Sequence, residues 1–207
     1  MHTLLLLLAA TLAPTLAVAQ SDTWNFRVLL DGREIGQHRY TLDAKDGERE
    51  LRSEARFDVR LLFLSAYRYE HEAVERWNGD CLRTLVARTD DNGRHESVDA
   101  TERDGRLVVN RPKQRNEHTG CVMSFAYWNP RILDERQLLN SQTGELLPVT
   151  ITALGEETVA VQGQRVAAQR HRITGKDLQI DLWYAGGRWV ALEAPAAGGR
   201  NLRYELM

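Results

Sequence analysis

The sequence predicts a mainly β protein: an antiparallel meander forming a curved sheet or open barrel, with one short helix packed on its concave side. Three observations predict it. Short runs alternate apolar and polar residues with the period of two that a half-buried strand needs. Five Asx-Gly dipeptides, beginning at Asp31, Asp46, Asn78, Asn92 and Asp104, separate those runs. Asx-Gly between alternating segments signals a hairpin, because its tight turn needs positive φ at both central positions. The alternation stops over residues 120–130 (GCVMSFAYWNP) and resumes after residue 148.

The first nineteen residues read as an export signal. Residues 4–8 are all leucine, and Ala17-Val18-Ala19 gives an A-x-A cleavage site before Gln20. The run is too short, and too broken by Pro14, to span a membrane. No cysteine stands at the junction. The expected product is residues 20–207, a single β-rich domain, soluble in the periplasm, with no integral membrane segment after signal removal.

The strands follow in order. Trp24, Phe26, Val28 and Leu30 share one face, and so do His38, Tyr40, Leu42 and Ala44. Leu51, Ser53, Ala55, Phe57 and Val59 alternate against Arg52, Glu54, Arg56, Asp58 and Arg60. That second face is so charged that it must see water. Residues 61–64 (LLFL) interrupt the pattern, either as a buried crossing or as an apolar loop over an opening. The next strand is long. Tyr67, Tyr69, His71, Ala73, Glu75 and Trp77 share one face, with Glu70, Glu72 and Arg76 on the other. Strands around Leu85, around Val98 and at residues 107–109 complete the first half, and residues 112–119 read as a polar mobile loop at a cavity rim.

The central stretch has a different rhythm. Asn129 suits a helix cap and Pro130 a first helical position, where its missing N–H costs nothing. Ile132, Leu133, Gln137, Leu138 and Leu139 follow at roughly helical spacing, and Gly144 ends the segment. It reads as a core plug or as the gate or floor of a ligand cavity. Beyond it, Val149, Ile151 and Ala153 form a strand face turned by Gly155. Further runs carry Val166 to Ile173, Leu178 to Tyr184, Trp189 to Leu192 and Leu202 to Leu206. The total expected is about ten to twelve strands.

Composition excludes some partners. The chain has 27 Lys+Arg, 29 Asp+Glu and a net charge of −2, mixed in sign along its length. That balance gives no reason to expect nucleic acid or electrostatic attachment to anionic lipid. Cys81 and Cys121 are the two cysteines. An even number in an oxidising compartment points to a disulfide between them. Two buried thiols or one reactive thiol are the alternatives, and a nucleophilic Cys121 would need a paired histidine, which the local sequence does not force.

Several strings carry a family resemblance. They are Trp24-Asn25-Phe26 with Leu30-Asp31-Gly32, Glu75-Arg76-Trp77-Asn78-Gly79-Asp80-Cys81-Leu82, Ser124-Phe125-Ala126-Tyr127-Trp128-Asn129-Pro130, and Leu139-Asn140-Ser141-Gln142-Thr143-Gly144-Glu145. The chain resembles a bacterial exported family catalogued as a domain of unknown function, number 6134. Its C-terminal part, with Ile180-Asp181-Leu182-Trp183-Tyr184 and Trp189-Val190, is similar to another exported family of unknown function, number 3108. The second resemblance implies extended antiparallel sheets like those of envelope lipid carriers. Neither implies a reaction or a catalytic residue.

The residues themselves offer little catalysis. His71 and Glu75 lie about 13 Å apart along a strand, too far to share a metal, and no ligand spacing suggests a metal or cofactor. Ser124 is not in a G-x-S-x-G setting. The function expected is a noncatalytic module that binds a lipid or other apolar molecule in a concavity lined by Phe26, Tyr40, Phe57, Tyr69, Phe125 and Trp128. The candidate ligand-binding residues are Tyr69, His71, Phe125, Tyr127 and Trp128. The same aromatics also fit a solid core. The alternatives are an envelope enzyme acting on a lipid or glycan through residues such as His71 and Tyr127, and a protein-interaction or assembly module.

Overall fold

The computed structural model describes residues 20–61 and 64–207. The expected export signal, and Leu62 and Phe63 of the apolar run, lie outside the described residues. The first half is a run of hairpins: β1 (Gln20–Leu30), β2 (Arg33–Lys45), β3 (Glu48–Leu61), β4 (Leu64–Asn78), β5 (Cys81–Asp91), β6 (Arg94–Arg103), β7 (Arg106–Arg111) and β8 (Gln114–Thr119). A crossing follows, with a 3-10 turn at Pro130–Asp134 and the short pair β9 (Gln137–Leu139) and β10 (Leu146–Pro148). The second half is β11 (Thr150–Val161), β12 (Gln164–Gly175), β13 (Leu178–Ala185), β14 (Arg188–Ala196) and β15 (Arg200–Leu206).

Thirteen of these strands form one antiparallel sheet, in the order β11-β12-β13-β14-β15-β1-β2-β3-β4-β5-β6-β7-β8. The last strand pairs with the first, Val28 opposite Tyr204. The chain therefore starts in mid-sheet, walks to the β8 edge, crosses to the β11 edge, and walks back to its own beginning. The two edges do not pair, so the sheet is open and not a closed barrel. It does curl. β11 comes within contact of β14 and β15, and the Gln162 N–H donates to the Leu206 carbonyl at 3.3 Å.

The turns follow their chemistry. Asp31, Asp46, Asn92 and Asp104 all have positive φ, and each is followed by a positive-φ glycine, the twist that a two-residue hairpin needs. At the fifth dipeptide the loop is Gly79-Asp80, since Asn78 already pairs with Cys81.

Three expectations are corrected. No α-helix forms after Asn129. Asn129 does cap, accepting the Arg131 N–H at 3.1 Å with Pro130 at the start, but the turn is five residues of 3-10. Residues 137–139 then extend, because they pair with β10. Residues 112–119 are mostly the edge strand β8, not a loop. Its polar sequence reflects an edge position, where charge discourages further pairing. Gly155, at φ 95°, makes a bulge within β11 and does not turn the chain.

The crossing lies on the apolar face and joins the core. Ile132, Leu138 and Leu139 have no exposed surface, like Phe26 and Leu85 on the sheet. Truncating any of them costs roughly 2–5 kcal/mol, so the crossing is held as firmly as the strands. Cys81 and Cys121 form a disulfide that ties the β4–β5 turn to the start of the crossing. Beside it the Leu82 N–H donates to the Val122 carbonyl at 2.9 Å.

Candidate functional site

Between the concave face and the crossing is a cavity of about 250 Å³. Period-two alternation sets its sheet wall: His38 and Tyr40 of β2, Leu51 and Ser53 of β3, Tyr69, His71, Ala73 and Glu75 of β4. Leu178, Ile180, Leu192, Ala194, Leu202 and Tyr204 from β13–β15 continue it. Phe125, Tyr127 and Trp128 of the crossing face that wall. Asn140, Ser141 and Gln142 add polar groups. That loop is shaped by the Asn140 side chain, which accepts the N–H groups of Gln142 at 2.9 Å and Thr143 at 3.2 Å. Arg111 of β7 pins it by donating to the Thr143 carbonyl at 3.1 Å.

All five candidate ligand-binding residues, Tyr69, His71, Phe125, Tyr127 and Trp128, line this one cavity. Of the other aromatics expected in the concavity, Tyr40 lines it, whereas Phe26 and Phe57 are packed within the core. Tyr67 bonds Asp91 at 2.7 Å, away from the cavity.

The polar lining is ordered. His38 Nε2 meets the Ser53 hydroxyl at 2.7 Å, and its Nδ1 meets the Tyr40 and Tyr204 hydroxyls at 3.2 and 3.3 Å. His71 Nδ1 meets the Thr89 hydroxyl at 2.8 Å. Tyr69 donates to Gln142 at 3.2 Å, joining the sheet wall to the crossing. Burial holds His38 well below the usual histidine range, with His71 adding to the effect, and lowers His71 to about 4. Both rings are therefore neutral at pH 7. Burial raises Tyr40, Tyr69, Tyr127 and Tyr204, so they act as hydroxyls.

Glu75, which the sequence places on the same strand face as His71 but not among the candidate ligand-binding residues, also lines the cavity. It stands in the cross-strand row Leu42-Leu51-Glu75-Leu85-Ala100-Val109. It is 5% exposed. Its Oε2 accepts the Trp77 indole N–H and the Ser124 hydroxyl, each at 3.1 Å. Burial raises its carboxyl to about 7, against the pull of those two hydrogen bonds. Its phase was a usable signal, since it alternates in step with His71, Ala73 and Trp77. The placement of His38, Ser53 and Asn140 to Gln142 around the same space needed the fold. Among the described residues no group of His, Cys, Asp or Glu side chains is arranged to hold a metal.

A family model described as a domain of unknown function, DUF6134, matches residues 26–207. The chain belongs to this family. The match agrees with the first of the two resemblances read from the sequence. Among curated proteins, none matches this DUF6134 chain. Among solved structures it is similar to the crystal structure of a β-barrel-like protein of the domain of unknown function DUF1849, from Brucella abortus. The TM-score is 0.65 at 10% identity, over 93% of this chain and 98% of that one. At that identity the likeness concerns the fold alone. In this DUF6134 chain no helix among the described residues is long and apolar enough to cross a membrane.

Proposed function

We propose that this is an exported, noncatalytic protein of the bacterial envelope that binds a small, mainly apolar molecule in the concavity of its sheet. The observation that carries the reading is the cavity of about 250 Å³, walled by aromatics and aliphatics with a few ordered polar groups, the usual make-up of a ligand pocket. Size narrows the cargo. Ligand pockets run from roughly 300 to 1,000 Å³, so this one takes a small amphiphile or the end of a chain, not a whole phospholipid. The leader-like first nineteen residues and the disulfide support periplasmic placement.

The test is native mass spectrometry of protein taken from the periplasm without detergent, with titration of the neutral apolar probe N-phenyl-1-naphthylamine. The expected result is one saturable site. Ala73→Leu, which puts a larger side chain into the cavity, is expected to abolish binding while keeping the fold. Binding that survives Ala73→Leu in the folded protein would overturn the assignment of the site.

One contact favours a second reading, an enzyme acting on a lipid or glycan: the His38–Ser53 hydrogen bond resembles a base–nucleophile pair. Tyrosine hydroxyls, however, stand at His38 Nδ1, where such a pair would carry a carboxylate. Ser124, bonded to the Glu75 carboxylate, does not line the cavity. Release of p-nitrophenol from p-nitrophenyl butyrate, lost in Ser53→Ala, would favour the enzyme.

A further inference from the structure

The cavity contains an acid without a counter-charge. Glu75 lines it, its two hydrogen-bond donors, Trp77 and Ser124, are neutral, and among the described residues no cationic side chain pairs with it. A buried carboxylate without a cation is costly. The same protein shows the ordinary remedy at another buried acid, Asp181, which receives Arg170 and Arg172.

The neighbours of Glu75 do not supply the charge. Across the ladder stand Leu51 of β3 and Leu85 of β5. The titratable groups around the cavity are His38 and Tyr40 of β2, Tyr69 and His71 of β4, Tyr127 of the crossing and Tyr204 of β15. All are neutral near pH 7 for the reasons given above. Arg49 lies over the Trp128 ring, 4.7 Å from its centroid, but its guanidinium is engaged by the Gly79 carbonyl and Asp80. Meanwhile the rings of Tyr40, Tyr69, Phe125, Tyr127 and Trp128 line the same space. Aromatic faces attract cations by their quadrupole, more strongly when water is excluded.

We propose that the ligand of this cavity carries an ammonium group on an apolar body, with the ammonium seated on Glu75 and the body against the aromatic and aliphatic wall. The proposal rests on the ligand-binding reading above and names the ligand's chemistry. An ammonium on an apolar body is found in free alkylamines and at the amine head of a lipid.

The test compares matched ligands on the full processed chain with its disulfide intact, by displacement of N-phenyl-1-naphthylamine. Hexylamine is expected to displace the probe at least about tenfold better than hexan-1-ol at pH 8, the margin of one charge-assisted contact. Glu75 takes up its proton near pH 7, whereas an alkylamine keeps its charge to about pH 10. The advantage of hexylamine is therefore expected to fall roughly tenfold from pH 8 to pH 6, as the ionised fraction of Glu75 falls. Glu75→Gln is expected to erase the difference between the two ligands. The pH profile of the native protein makes the same point without a variant. Sphingosine, a lipid whose amine sits directly on its chain, separates the two sources: its displacement of the probe more tightly than hexylamine assigns the site to a lipid head, and the reverse order to a free amine. Equal displacement by hexylamine and hexanol at both pH values overturns the ammonium and leaves the apolar site standing. No saturable probe binding at all overturns both.

Discussion

Asp181 and Glu75 are both buried acidic side chains, 4% and 5% exposed, on opposite faces of one sheet. Asp181 alternates out of phase with Ile180 and Leu182, on the convex face. Arg172 reaches it through Nε at 2.6 Å and Nη2 at 2.8 Å, and Arg170 through Nε at 3.2 Å. Arg170 continues to Glu157 at 2.7 Å and, with Arg203, stacks over Trp183. Burial pushes the Asp181 carboxyl up, and the hydrogen bonds from Arg172 and Arg170 outweigh it, so the group is held below its ordinary value. Glu75, on the concave face, meets only neutral donors and is pushed up to about 7. An acid buried for structure brings its cations from the chain, whereas one facing a cavity is left open to a partner from outside.

The largest test of this contrast removes what holds the crossing over the concave face. Replacing both Cys81 and Cys121 with Ala is expected to lower stability by up to about 4 kcal/mol, the chain-entropy value for a loop of this length before any residual structure is counted. Urea midpoints read the loss. With the crossing loosened, water reaches Glu75, and its carboxyl, followed by carbon-13 NMR, should move down toward 4.5, its ordinary value, while Asp181 stays where it is. A Glu75 still titrating near 7 would show that the disulfide does not keep the cavity dry.

The second test breaks the convex side. Asp181→Ala leaves Arg170 and Arg172 without their carboxylate. Removing one partner of a buried ion pair costs roughly 3–5 kcal/mol. Here the arginine side chains are 24% and 34% exposed and regain water, so the loss belongs near the low end, about 3 kcal/mol. Its pH dependence has a definite sign. A lowered acid contributes stability above its unfolded value, which is 3.8, and loses it as pH falls through the lower folded value. The deficit of Asp181→Ala relative to native protein should therefore be constant above about pH 5 and shrink below pH 4.

The two faces were not equally legible in the sequence. Four of the five Asx-Gly turns fall where their chemistry requires, and the strand phases from Trp24 to Trp77 give the correct buried face, because both signals are local. One turn inside the crossing was legible too: Asn129 caps it and Pro130 starts it. What followed was not, because Leu138 and Leu139 are held extended by β10 and by backbone bonds to Met123 and Phe125, partners set by the tertiary fold. β8 was missed for a similar reason, since an edge strand has no buried face to enforce alternation. The five aromatic and histidine candidates meet in one cavity because three lie in the crossing and two in β4. Glu75 has the same phase as His71. Its burial among leucines goes against the rule that strand carboxylates are solvated, so its face was legible in the sequence and its burial was not.

The smallest effect is the one that separates the two carboxylates most cleanly. Glu75 binds its proton more tightly in the folded chain than in the unfolded one, so native stability falls as pH rises from 4.5 to about 7 and is level above that. At 1.36 kcal/mol per unit the full shift corresponds to about 3 kcal/mol. Glu75→Gln removes the ionisation and keeps an oxygen for Trp77 and Ser124, but buries an amide in exchange, so the net gain expected at pH 8 is about 2 kcal/mol. At pH 4 native Glu75 is already neutral in the folded state, so only the cost of the buried amide remains and the variant should be about 1 kcal/mol less stable than native. Urea midpoints at both pH values read this directly, and the trend is opposite to that of Asp181→Ala. A Glu75→Gln protein less stable than native at pH 8 would mean that the charged carboxylate already has a partner within the chain, and the contrast between the two faces would collapse.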